Sequence, residues 1–182
     1  MVAAVNQEEK AARWQLRRRL RKIFRIRRIR KEDAKILQEA DDDATLETQS
    51  LLPRTLSDAL PEDPEARAND TRAMVVTECT GTFNMIGCNK AWENLCGYAE
   101  SEIVGKDSSI LQGPESNNVG LRDAVQRLFE DEKPVRCVTT NYRKDGSKFK
   151  NLMTLGPIYD QATGKMTHCV AILKNLGNVT SK

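Results

Sequence analysis

With 182 residues, 39% of them hydrophobic and 30% charged, the chain has room for one domain of about 100–150 residues plus a sizeable extra segment. No run approaches the roughly 18–20 apolar residues of a membrane span, and no short apolar stretch follows a basic start as in a secretory signal. The net charge of +3 hides a strong asymmetry: residues 10–31 hold twelve Lys or Arg and no acid, residues 32–70 hold three basic and twelve acidic side chains, and residues 71–182 are close to balanced. A soluble, intracellular protein is expected, nuclear or cytoplasmic or held at a membrane periphery. Its expected parts are a basic helical arm (1–31), an acidic and partly disordered linker (32–71), a folded domain (72–177) and a short tail (178–182).

The arm, Arg13 to Lys31, contains no Gly or Pro and places Leu16, Leu20, Ile23 and Phe24 at helical spacing, which predicts a helix. Its charge fits an anionic partner, either nucleic acid or a membrane surface; calmodulin-like recognition and nuclear import fit as well, as does a solvated helix paired with the acidic stretch that follows. A leucine zipper does not fit. Leu37, Ala44 and Leu51 lie seven apart, but their companion positions are polar and Pro53 ends the run. Three prolines between Leu51 and Asp70 predict an extended connection with short helical pieces.

Within the domain, "AMVVTE" (73–78) and "FNMIGCN" (83–89) read as two strands around a turn near Gly81. "KAWENLCGY" is a helix stopped by Gly97, and short helical pieces follow in "SEIVG" and "SSILQ". Ser116 is the expected cap of a longer helix, Asn117 to Phe129, with Leu121, Val125 and Leu128 facing inward. Three further strands, "VRCVTTNYRK", "KFKNLMTLGPIY" and "MTHCVAILKN", are separated by Asp145-Gly146 and by "DQATGK". This order predicts an α+β domain, a five-stranded antiparallel sheet with helices on one face. The five cysteines show no CxxC pair and His168 stands alone, so reduced, mostly buried thiols are expected and a zinc site is not.

The combination of "NKAWENLCGYAESEIVGK", the LQGPE block, "NYRKDGSKFKNLMTLGPIYD" and "THCVAILKN" resembles a PAS domain of the light-oxygen-voltage (LOV) branch over residues 73 to about 176. The resemblance implies a PAS fold and a cavity between helices and sheet that holds flavin mononucleotide (FMN) or another flavin. It implies that Gln112, Asn141 and Asn151 face the phosphoribityl chain and the pyrimidine edge of the ring, with Val75, Thr77, Leu111, Leu121 and Met153 lining the rest. Asn and Gln suit such an edge because each offers a donor and an acceptor.

In the LOV family the signature block reads G-R-N-C-R-F-L-Q-G, and blue light adds its cysteine sulfur to the flavin. Here Ser108 stands in the place of that cysteine, and an alcohol cannot replace the readily ionised thiol. Ser109 replaces the first phosphate arginine, Asp107 the preceding asparagine, and Val125 the second arginine, for which Arg122 or Arg127 would have to substitute. Leu173 stands where the family's last strand carries its switching glutamine. At about 1.5–3 kcal/mol per charge-assisted contact and about 1.4 kcal/mol per tenfold, losing two weakens FMN binding several hundredfold or more. Each polar residue also has a structural reading: Asn141 and Asn151 bonding backbone or each other, Gln112 bracing a turn, Asp107 capping a short helix. No nucleophile–His pair and no phosphate-cradling glycine loop points to an enzyme.

The resemblance therefore implies a non-catalytic signalling module that works through protein contacts or an altered ligand pocket, with the sheet face packed on a protein partner, a second copy or the flanking helix. The alternative is a cysteine-less flavin photoreceptor whose excited ring takes an electron from Trp92, Tyr98 or Tyr142.

Overall fold

Runs of β-branched and apolar residues broken by Gly- and Asp-containing turns build a sheet, and the amphipathic segments between them build its cover. The computed structural model describes residues 31–42, 52–79 and 83–180. Among the described residues three helices come first: α1 (Lys31–Asp42), α2 (Leu56–Ala59) and α3 (Pro64–Asn69). They lead into β1 (Ala73–Glu78), β2 (Met85–Cys88), α4 (Lys90–Cys96), α5 (Glu100–Ile103), a 3-10 turn (Ser108–Leu111) and α6 (Asn118–Asp131). Strands β3 (Val135–Tyr142), β4 (Lys148–Tyr159) and β5 (Met166–Val179) complete the domain.

The strands form one antiparallel sheet in the order β2-β1-β5-β4-β3, so β2 and β3 are its edges. This is the α+β architecture that the sequence predicts. The inner face carries Val75, Cys137, Phe149, Met153, Leu155 and Leu173 against Trp92 of α4, Ile103 of α5 and Ala124 and Leu128 of α6. Gly97 ends α4 at φ 81°, a left-handed conformation in which a side chain is strained. Helix α6 departs from its expected cap. Asn117, whose side chain accepts from Gly120 N at 3.2 Å, is the N-cap, while Ser116 Oγ donates to Thr140 O at 2.6 Å and accepts from Gly113 N at 2.9 Å.

The outer face has a core of its own. Met74, Val76, Ile158 and Val170 are covered by Leu52 and Ala59, all buried. The segment that the sequence reads as an extended connection with short helical pieces thus places Leu52 and Ala59 over the outer surface of the sheet. Thr55 caps α2 in a reciprocal capping box with Asp58, and Asp63 caps α3, which has Pro64 in its first turn. Most of the basic arm, residues 13–30, lies outside the described residues.

Helix α1, also in the expected linker, packs against β3. Asp33 has no exposed surface; one carboxylate oxygen is ion-paired with Lys150 of β4, and the other accepts from Asn117 Nδ2 at 3.0 Å. One buried carboxylate thus joins the flanking helix to the sheet and to the cap of α6.

Candidate functional site: a cavity between helix and sheet

Inward residues of β1, β4 and β5 face α6 and the 3-10 turn across a cavity of about 460 Å³, within the range of small-molecule sites. Its sheet side is Val75, Thr77, Met153, Leu155, Cys169, Ala171 and Leu173; its helix side is Leu121, Val125, Leu128 and Phe129 of α6. Asp107, Ser108, Leu111 and Gln112 close one end, and Asn118 and Arg122 add polar groups from the first turns of α6. Nine of the eleven residues that the sequence nominates, namely Val75, Thr77, Asp107, Ser108, Leu111, Gln112, Leu121, Met153 and Leu173, share this wall.

The other two, Asn141 and Asn151, are buried outside this wall and bond each other. Asn141 Nδ2 donates to Leu111 O at 3.0 Å, and Asn151 Nδ2 donates to Asn141 Oδ1 at 2.7 Å. A backbone carbonyl only accepts, so the amide of Asn141 must present its nitrogen to Leu111 and its oxygen to Asn151. The direction passes down the relay and leaves Asn151 Oδ1 buried without a partner, as is Asn118 Oδ1 on the first residue of α6. Both unpaired groups are acceptors. The amide of Gln112 lines the cavity.

At the mouth, Asp107 caps the 3-10 turn by accepting from Ser109 N at 2.7 Å. Asp107, Ser108 and Ser109 are all exposed. Of the two α6 arginines that the sequence reading names, Arg122 lines the cavity and Arg127, half exposed, pairs with Asp123 at 3.1 Å. Arg122 is the one cation in the wall among the described residues, and Asp107 shares that wall with it. The glycine of the LQGP block has a packing role: a Cβ on Gly113 would stand 2.4 Å from Cε2 of Tyr142, whose hydroxyl accepts from Glu115 N at 3.1 Å.

A family model described as "PAS domain" matches residues 72–177, more than half of the chain. The chain belongs to the PAS domain family. Within it, the similar proteins include several named for light-oxygen-voltage domains or blue-light reception. A blue-light photoreceptor of Listeria monocytogenes is 33% identical over 76 residues, 42% of this chain and 30% of the relative. The bacterioopsin transcriptional activator of Halobacterium salinarum is 36% identical over 86 residues, 47% of this chain and 12% of that protein. The LOV domain of a blue-light activated histidine kinase from Erythrobacter litoralis superposes with a TM-score of 0.52 at 26% identity, covering 58% of this chain and 96% of that one. The chain thus spans less than a third of the length of these two curated relatives.

The PAS cavity includes residues that the sequence does not nominate. Phe83, Met85, Asn118, Phe129, Leu155, Cys169 and Ala171 line it too. Three of these are within reach of pattern alone: Cys169 and Ala171 alternate with Leu173 on β5, and Leu155 with Met153 on β4, as inward residues of one strand must. Phe83 and Met85 belong to the stretch "FNMIGCN" that reads as the second strand, where they too stand two apart.

Proposed function

We propose that this PAS domain is a non-catalytic sensory and signalling module derived from a LOV domain, acting through protein contacts or an altered ligand pocket. The observation that carries the reading is the composition of the cavity mouth: Ser108, in the place of the photoactive cysteine, and Asp107 line it, with Arg122 as the cation. A flavin supplies blue-light absorption when bound, and the walls suit its ring. Apolar side chains flank the space, and Gln112 and Asn118 in its wall supply an amide and one buried acceptor without a partner. The mouth does not suit a phosphate, because Asp107 opposes the anion and Ser109 and Val125 offer no charge. Ser108 offers no thiol to the ring. None of Trp92, Tyr98 and Tyr142 is in the wall, so nothing favours the rival reading of photoreduction over this one.

Absorption spectra of the purified chain with riboflavin or FMN test this proposal. Riboflavin binds at least as well as FMN, and blue light causes no reversible loss of the band at about 450 nm that a thiol addition produces. A reversible loss of that band in the unaltered chain overturns the reading. Ser109→Arg with Val125→Arg raises affinity for FMN more than for riboflavin, since only FMN carries the phosphate; equal gains contradict the proposed phosphate path. For the basic arm, the twelve Lys or Arg and no acid of residues 10–31 carry the reading of a nucleic-acid partner. Binding to duplex DNA then falls steeply between about 50 and 200 mM salt and vanishes on removal of residues 1–31. Equal or tighter binding to anionic vesicles transfers the arm to a membrane.

A further inference from the structure

On the sheet side of the cavity, two sulfurs meet. Thr77 of β1 pairs with Cys169 of β5, and just past the end of β1 the backbone N–H of Cys79 still donates to Thr167 O at 3.1 Å. Cys79 and Cys169 are therefore diagonal neighbours on one face of the β1–β5 ladder, with Sγ atoms 3.2 Å apart. Both are free thiols and both are 7% exposed. They differ in what they face: Cys169 lines the cavity and Cys79 does not. Cys88, Cys96 and Cys137 are buried and hydrogen-bond no other sulfur among the described residues.

We propose that Cys79 and Cys169 are an oxidant-responsive pair, which a small hydroperoxide entering the cavity closes into a disulfide. Closing it brings the sulfurs about 1.2 Å nearer, to the roughly 2.05 Å of an S–S bond. Cys169, which faces the cavity, attacks one peroxide oxygen. The O–O bond breaks, one water leaves, and Cys169 becomes a sulfenic acid. Cys79 sulfur then displaces the sulfenic hydroxyl, which departs as a second water with the thiol proton. Two thiols and one hydrogen peroxide give one disulfide and two waters, and the peroxide takes up both electrons. The hydrogen bond with the Cys169 sulfur, with burial second, pushes the Cys79 thiol up. That fits Cys79 as the partner that holds its proton until the sulfenic acid has formed. The product ties the end of β1 to β5 beside Thr77, in the wall of the ligand cavity, and gives the module an oxidant input that needs no flavin.

The test treats the full-length chain with hydrogen peroxide and reads free thiols, intact mass and disulfide-mapped peptides. Free thiols fall from five to three per chain, the mass falls by two hydrogen atoms, a Cys79–Cys169 linked peptide appears, and dithiothreitol reverses all three. Cys79→Ser stops at a sulfenic acid that dimedone traps, and Cys169→Ser consumes peroxide at least about tenfold more slowly than the unaltered chain. Five surviving thiols, a disulfide mapped to any other pair, or unchanged peroxide consumption by Cys169→Ser overturns the proposal. The first two outcomes come from the unaltered chain, so they hold even if a variant fails to fold.

Discussion

The polarity of the Leu111–Asn141–Asn151 relay follows from a single carbonyl, and it makes the two amides energetically one unit. Asn141→Leu leaves both Leu111 O and Asn151 Nδ2 without their partners, at roughly 1–3 kcal/mol each. Adding Asn151→Leu removes the orphaned donor, so the double variant loses less stability than the two single losses combined, with a coupling of about 1 kcal/mol or more in urea unfolding. Additive losses show that the amides act separately. The sequence names these residues but not their direction. Residue type and strand alternation place Asn141 and Asn151 on the inner face; which atom faces which depends on the β3–β4 register, in which Asn151 pairs with Thr139 and so lies diagonal to Asn141, and a register between two strands is not written in either strand alone. The same limit hides the sulfur pair, whose members are 90 positions apart.

Among the elements, those with strong local signals were legible from end to end. β1 and β4 occupy "AMVVTE" and "KFKNLMTLGPIY" as read, because β-branched and apolar residues run between clear turns. β5 continues beyond Asn175 to Val179, where polar residues conceal a strand held by its pairing with β4. Helix α1 was the least legible as a packed element: its acidic composition reads as a linker, and its anchor Asp33 meets partners 84 and 117 positions away. Asp33→Asn tests that anchor. Losing a buried pair costs about 3–5 kcal/mol when the partner stays buried, but the Lys150 side chain is 20% exposed and can turn to water, so a loss of about 1–3 kcal/mol is expected. Hydrogen exchange in residues 31–42 rises with it. Unchanged exchange there shows that α1 is held by its apolar contacts alone.

Across the whole molecule, buried thiols set an alkaline limit. Cys88, Cys96 and Cys137 are pushed up to about 12, chiefly by burial, from an ordinary value of 9.0. A raised folded-state value favours the protonated, folded form. Its stabilisation is complete below pH 9 and is lost as pH climbs toward 12, at up to roughly 1.4 kcal/mol per pH unit for each thiol. Unfolding free energy measured from pH 8 to 11 therefore declines, and Cys137→Ala makes the decline shallower by about one proton's worth. A slope unaltered by that substitution assigns the alkaline limit to other groups. The cover that Leu52 and Ala59 place over the outer sheet sets the terms for any partner of that face. They belong to the same chain as the surface they occupy, and a short tether holds such an occupant at about millimolar effective concentration. A partner or second copy seeking the outer sheet must outcompete this resident ligand, so recruitment depends on how readily the N-terminal segment lets go as much as on the sheet's own affinity.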